Sequence, residues 1–354
     1  METKIIICME EDDKDCLKEA GILIKNGGLA AFPTETVYGL GGDAFNPESS
    51  RKIYAAKGRP SDNPLIVHIC EWEAIYKLVS DKPDCAPLLA AAKKLADAFW
   101  PGPLTMILPK SDEVPKETTG GLDTVAIRLP AHKTARALIA AAGGYVAAPS
   151  ANTSGRPSPT LAKYVLEDLD GRIELVIDGG PVGIGLESTI VDLTVSPPEI
   201  LRPGFVTEKM IKDVLGSVRT DAALEKGSPE QKPKAPGMKY RHYAPKGELT
   251  IVSGKSGQVI AFINARLEEA KKKGLKTGVL ATEETLNCYR ADLVKAAGSR
   301  TDELATAKQL YTVLREFDEN GIQILYSEAF DKEGIGQAVM NRLLKAAGHR
   351  LVVL

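Results

Sequence analysis

Two spacings of apolar residues alternate along the chain. Short apolar runs at Ile5–Cys8, Leu29–Phe32, Leu65–Cys70, Leu104–Leu108, Val125–Leu129, Val146–Ala148, Leu175–Ile177 and Ile190–Leu193 predict strands. Helical spacing falls between several of them. Asp12–Lys25 sets Cys16, Leu17, Ala20, Leu23 and Ile24 on one side and stops at Gly27-Gly28. Pro47–Ala56 predicts a helix capped by Asn46 and ended by Gly58. Leu88, Ala92, Leu95 and Phe99 mark an alanine-rich helix cut by Pro101-Gly102-Pro103. The loops between these elements hold most of the unusual polar residues, where sites on α/β scaffolds usually lie.

From about Gly216 to Gly247 the pattern lapses into linker chemistry, with Gly227-Ser-Pro-Glu-Gln-Lys-Pro-Lys-Ala-Pro-Gly237 at its centre. A second strand–helix alternation follows. Strands are predicted at Leu249–Val252, Thr277–Ala281, Gln323–Tyr326 and Leu351–Leu354, and helices at Gln258–Lys272, Thr301–Asn320 and Gly336–Ala347. Such alternation with short loops implies a parallel sheet covered by helices. The expected organisation is a catalytic-sized α/β domain over 1–215, a linker over 216–247 and a smaller α/β domain over 248–354.

The bulk numbers narrow the function classes. A length of 354 residues fits two domains at roughly 150 residues each. A formal net charge of -2 gives no global positive field for nucleic acid, so any RNA contact has to be a local patch. Cys8, Cys16, Cys70, Cys85 and Cys288 make no C-x-x-C pair, which fits reduced thiols in a cytoplasmic protein. The apolar run near the start is too short for a signal peptide or a membrane helix. His68, His132, His242 and His349 show no zinc-site spacing.

Several loops carry chemistry. Pro33-Thr-Glu-Thr-Val-Tyr-Gly-Leu40 puts two hydroxyls, a carboxylate and a phenol at a strand exit, which also fits a turn around a buried tyrosine. Lys57-Gly-Arg-Pro-Ser-Asp-Asn-Pro64 offers a point charge and a planar fork on a proline-stiffened loop, both suited to phosphate oxygens. His68 sits within an apolar strand, as a satisfied core residue or a functional one. Arg128 also lies within a strand, where its charge needs either a partner such as Glu35 or a ligand. Ala148-Pro-Ser-Ala-Asn-Thr-Ser-Gly-Arg-Pro-Ser158 and Glu187-Ser-Thr-Ile-Val-Asp192 are hydroxyl-rich loops able to cradle anions. There is no Walker loop, no G-x-G-x-x-G fingerprint opening the first domain and no G-x-S-x-G elbow. Phosphate, if bound, is held by scattered basic and hydroxyl groups.

Together, PTETVYGL (33–40), KGRPSDNPL (57–65), the Thr124–Arg128 strand, APSANTSGRPSPT (148–160), ESTIVD (187–192) and LRPG (201–204) resemble the Sua5/YrdC family of threonylcarbamoyl-AMP synthases. The segment Ala235–Pro245 and the second α/β domain resemble the longer, two-domain Sua5 form. The resemblance implies a YrdC-like twisted mixed α/β N-terminal domain, a linker and a smaller Rossmann-like parallel-sheet C-terminal domain. It implies a nucleotidyltransferase that makes threonylcarbamoyl-AMP from L-threonine, bicarbonate and ATP with Mg²⁺, releasing pyrophosphate. The product would pass to a downstream t6A-forming complex that modifies position 37 of tRNA. By the same resemblance, Thr36, His68, Arg128, Ala148 and Ser188 hold threonine. Arg59, Asn63, Thr124, Ser150, Ser158, Arg202 and a linker tyrosine, Tyr243, hold ATP, while Lys57 sits on the phosphates beside Arg59. No protein nucleophile is needed, only alignment of two anions and neutralisation of charge.

The linker is not pure spacer, because Met238, Tyr240 and Tyr243 stand beside Arg241 and His242. Its roughly 30 residues can span up to about 100 Å, enough to act as a lid over the nucleotide or to pack between domains. Two other readings compete. One is an RNA-binding module of the YrdC type, leaving room for a weak tRNA contact. The other is a transferase handling carbamoyl-adenylate, against which stands the lack of acylphosphatase and zinc-finger segments.

Overall fold

The computed structural model describes residues 2–8, 14–221, 234–236, 242–331 and 333–354. The chain divides into two compact units. One comprises Met1–Ser154, Ser158–Gly183 and Glu187–Lys239, the other Gly155–Pro157, Ile184–Leu186 and Tyr240–Leu354.

Among the described residues the first unit holds one mixed eleven-stranded sheet. Its strands are β1 (Lys4–Ile7), β2 (Ala30–Phe32), β3 (Gly39–Asp43), β4 (Ile66–Ile69), β5 (Leu104–Pro109), β6 (Thr124–Arg128), β7 (Tyr145–Ala147), β8 (Leu175–Asp178), β9 (Thr189–Asp192), β10 (Glu199–Arg202) and β11 (Arg219–Thr220). Their order is β1-β8-β2-β3-β7-β4-β6-β5-β9-β10-β11. The predicted strands all form, within a residue or two at their ends. β3 was hidden in the sequence because Gly39-Leu-Gly-Gly-Asp43 lacks the branched residues that mark a strand. It is glycine-rich because the sheet is crowded there. A Cβ at Gly41 would stand 2.8 Å from Val146 and 2.9 Å from Phe32.

Helices cover the two faces of this sheet unequally. On one face Val67, Ile69, Met106, Val125, Ile127 and Val191 pack under Ile53, Leu95, Val165 and Ile211, contributed by the helices Pro47–Lys57, Ala86–Phe99, Ala162–Leu169 and Glu208–Leu215. On the other face, Lys14–Lys25 and Lys133–Ala141 cover only the part near Phe32, Val146 and Leu175. Beyond it, Ile66, Ile107, Ala126, Ile190 and Leu201 form a small cluster with Ala235 of the linker and no helix. Strand alternation explains the division, since successive side chains point to opposite faces.

The second unit contains a five-stranded sheet of β12 (Glu248–Ser253), β13 (Thr277–Ala281), β14 (Leu293–Ala296), β15 (Ile324–Glu328) and β16 (Leu351–Val353), ordered β14-β13-β15-β12-β16. Every pairing is parallel, as the strand–helix alternation requires. β14 is the strand of this sheet that the periodicity did not predict, being an edge strand, half-buried throughout; β10 and β11 of the first sheet were not predicted either. No disulfide joins the five cysteines. No helix of the described residues is long and apolar enough to cross a membrane.

Candidate active site

The helically uncovered face of the first sheet carries a row of polar side chains. β4 and β6 are parallel with His68 opposite Arg128, and β5 runs antiparallel to β6 with Thr105 opposite Arg128. Register therefore lines up His68, Arg128 and Thr105 on one face, although they are far apart in sequence. Thr105 and Ser188 share a hydroxyl–hydroxyl bond of 2.7 Å. Arg202 closes the row, donating from Nε to the Ser188 carbonyl at 3.0 Å and from Nη2 to its hydroxyl at 3.1 Å. All five residues are buried.

The electrostatics of the row follow from its burial. Arg128 Nη2 lies 2.7 Å from Glu35 Oε1. This is the partner the sequence suggested for an arginine in a strand. Burial acts to raise the Glu35 pKa, but the Arg128 charge and nearby backbone donors outweigh it and hold the carboxyl below its ordinary value. The pair is poorly aligned: its Nη2–Oε1 contact is close without good hydrogen-bond geometry, and Arg128 Nε finds no hydrogen-bond partner among the described residues. His68 is held neutral. Burial, and then the Arg128 charge, lower its pKa to about 3. Its Nδ1 lies 3.2 Å from the Ile66 carbonyl and its ring meets Phe32 edge-on. A buried guanidinium with unmet donors beside an uncharged imidazole is suited to gripping a carboxylate.

The second group of candidate residues gathers at the opposite end of the same strands. The helix Pro47–Lys57 ends at Gly58, whose φ of 60° is the left-handed turn that glycine permits. That turn delivers Lys57 and Arg59 inward, and both are buried. The Lys57 ammonium donates to the carbonyls of Ser150 and Asn152, while Lys57 O accepts from the Ser154 amide. Arg59 donates to the carbonyls of Asn63 (3.1 Å) and Pro64 (2.9 Å), stiffening the loop that enters β4. Asn63 Oδ1 is buried with no hydrogen-bond partner among the described residues. Ser150 donates to Asn152 at 2.5 Å and pairs with Gly39 across an isolated bridge. Thr124 begins β6, on the face of Arg128 but four positions away, about 13 Å along the strand. The apolar cluster of Ile66, Ala126, Ile107 and Ile190 lies between these two ends.

Five candidates sit outside this simple division. Ser158, read with the nucleotide group, donates to Glu187 Oε1 at 2.5 Å, beside Ser188. Arg202, also read with that group, is bound to Ser188. Thr36 is fully buried and shares a 2.9 Å hydroxyl bond with Thr34. The Ala148 amide donates to the Ile66 carbonyl at 2.9 Å, so its N–H is committed to the sheet. Tyr243 belongs to the second unit. Its φ is 64°, and its ring stacks on Tyr311 at 5.3 Å with the Arg342 guanidinium 5.8 Å from its centroid. Met238, Tyr240 and Arg241 lie outside the described residues. The Tyr38 phenol is the buried, satisfied group that the turn reading expects, donating to the Gly180 carbonyl at 2.7 Å. Thr105 went unnoticed in the sequence. Its signal was a lone hydroxyl inside the apolar run Leu104–Leu108.

Residues 22–204 match the Sua5/YciO/YrdC family, described as "Telomere recombination". Residues 206–348 match "Threonylcarbamoyl-AMP synthase, C-terminal domain". The chain is 47% identical over 337 residues to the threonylcarbamoyl-AMP synthase of Bacillus subtilis, covering 95% of this chain and 94% of that protein. It is 45% identical over 350 residues to that of Pyrococcus abyssi, covering 99% of each. Its fold superimposes on the crystal structure of P. abyssi Sua5 complexed with L-threonine with a TM-score of 0.92 and 44% identity, over 99% of this chain and 100% of that one. With both domains matched in order and across nearly its full length, the chain belongs to the two-domain Sua5 family, whose curated relatives are threonylcarbamoyl-AMP synthases.

Proposed function

We propose that the protein is an L-threonylcarbamoyladenylate synthase, a nucleotidyltransferase that uses L-threonine, bicarbonate and ATP and releases pyrophosphate. The observation that carries the reading is the buried Arg128, with unmet N–H donors, next to neutral His68 and the Thr105–Ser188–Arg202 hydroxyl network. A solved relative at 44% identity binds L-threonine, which fits that grip. In this reading Arg128 takes the threonine carboxylate, and His68, Ser188, Thr36 and the Ala148 backbone bound the rest of the amino acid. The nucleotide lies toward Arg59, Asn63, Thr124 and Ser150, with Lys57 fixing the Ser150–Asn152 loop and, with Arg59, setting positive charge near the phosphates. Ser158 and Arg202, read as nucleotide contacts, are held by Glu187 and Ser188.

The reaction follows from placement. Threonine and bicarbonate condense to a carbamate, the ammonium giving up a proton to solvent and water leaving, and the carbamate oxygen then displaces pyrophosphate at the α-phosphorus in line. The protein supplies alignment and neutralisation. Mg²⁺ would enter with ATP and supply charge neutralisation on the phosphates. Among the described residues no group of three or more His, Cys, Asp or Glu side chains could hold a metal ion. The product would serve t6A formation at position 37 of tRNA, in the cytoplasm.

Pyrophosphate release from ATP and bicarbonate, followed with and without L-threonine, tests the proposal. Release that depends on threonine is expected. Release indifferent to threonine overturns the substrate assignment, and tRNA binding without any release favours the RNA-binding reading.

A further inference from the structure

The second unit has a cavity of about 490 Å³ that the reaction above does not use. It opens at the carboxyl ends of the parallel strands, between β12 and β15, and is lined by Ser253, Gly254, Ser256, Arg300, Glu328 and Asp331 among others. Its place is decided by topology. From β12 the chain crosses leftward in the sheet order to β13, and from β15 it crosses rightward to β16. Right-handed crossovers then put the helix Ser256–Lys272 on one face and Gly336–Ala346 on the other. The loops leaving β12 and β15 part company, and a crevice opens between them. Ligands of open parallel sheets bind at such a switch point.

The lining has two chemical sides. The helix Ser256–Lys272 has no side-chain cap, and the amides of Ser256 and Gly257 precede its first internal bonds. A Cβ at Gly257 would meet nothing within 4 Å, so this helix start faces open space. Arg300 stands nearby and is anchored. It donates from Nη2 to Glu328 Oε2, while the other Glu328 oxygen takes hydroxyls from Thr285 and, at 2.6 Å, Tyr289. Glu328 is 2% exposed and saturated, whereas the Arg300 side chain is 41% exposed with donors to spare. Amides, a helix dipole and a fixed guanidinium favour an anionic group. Asp331 also lines the cavity and brings a carboxylate to it.

We propose that this cavity is a second ligand site, which takes a hydroxyl-bearing phosphate monoester with its phosphate between the Ser256 helix start and Arg300. Nucleotides and sugar phosphates share that chemistry. The test is titration of the full-length protein with AMP, ribose 5-phosphate and inorganic phosphate, read by the amide resonances of Gly254, Ser256 and Gly257. Saturable shifts with one or both esters, weaker with inorganic phosphate, are expected. AMP alone marks a nucleotide site, and both esters equally mark a site that reads the sugar phosphate. Ser256→Asp sets a negative charge where the phosphate would lie but favours the helix start itself. It is expected to weaken binding roughly tenfold or more, with Tm and threonine-dependent pyrophosphate release unchanged. No shift at these amides at millimolar concentration, or equal binding by Ser256→Asp, overturns the proposal.

Discussion

Each unit carries a buried arginine–glutamate contact, and the two are built in opposite ways. In the first unit Arg128 and Glu35 are both buried, with side-chain exposures of 5% and 14%, and neither is fully hydrogen-bonded. In the second, Glu328 is buried and saturated by three donors while Arg300 faces outward. The sheets around them differ in the same sense. The mixed sheet sends strand ends in both directions, so its polar row forms across the middle of a face, through register. The all-parallel sheet gathers every carboxyl end on one side, so its polar cavity forms at the strand ends. A half-satisfied buried pair is costly to hold and leaves capacity for a ligand, whereas a saturated one is an anchor.

Mutation of the two arginines tests that contrast most directly. Arg128→Met leaves Glu35 buried without its counter-charge and is expected to cost about 3–5 kcal/mol in chemical denaturation. Adding Glu35→Gln is expected to restore much of that stability without restoring threonine-dependent pyrophosphate release. Arg300→Met leaves Glu328 its two hydroxyl donors, and a loss of only about 1–2 kcal/mol is expected. Equal losses at both positions would erase the distinction.

The pH dependence sharpens the comparison from the first unit's side. His68 has a folded pKa of about 3, below its ordinary 6.5, so the folded state binds fewer protons than the unfolded one. Its contribution is fully present above pH 6.5 and is lost as pH falls toward 3, by up to about 1.4 kcal/mol per unit. Urea melts between pH 7 and 5 are expected to lose stability in the native protein and to flatten in His68→Gln. An unchanged slope in the variant would mean that the ring is not held neutral.

Two glycines give the most local test. A Cβ at Gly204 would stand 2.5 Å from the Thr189 backbone nitrogen, in the turn that follows Arg202. Gly204→Ala is therefore expected to cost about 1–3 kcal/mol and to disturb the Ser188 contacts. Gly257, at the open helix start, has nothing within 4 Å of such a carbon. Gly257→Ala is expected to be neutral or to stabilise by about 0.4–1 kcal/mol in the same melts.

Local signals in the sequence determined much of this molecule. Asn46 and Gly58 bound the helix Pro47–Lys57 by capping chemistry that acts within a few residues, and the structure shows both caps. The parallel second sheet followed from strand–helix alternation, because parallel neighbours need long crossovers. The hydroxyl and basic loops were legible as candidates because charge and polarity stand out against apolar strands. Tertiary structure alone decided which of these residues meet. His68 and Arg128 are sixty residues apart, and Thr105 and Ser188 eighty-three, and only strand register sets them side by side. Register depends on pairings among distant segments and on which face is buried, neither of which a local window contains. The same holds for the cavity beside Arg300, which exists because the sheet order sends two crossovers to opposite faces.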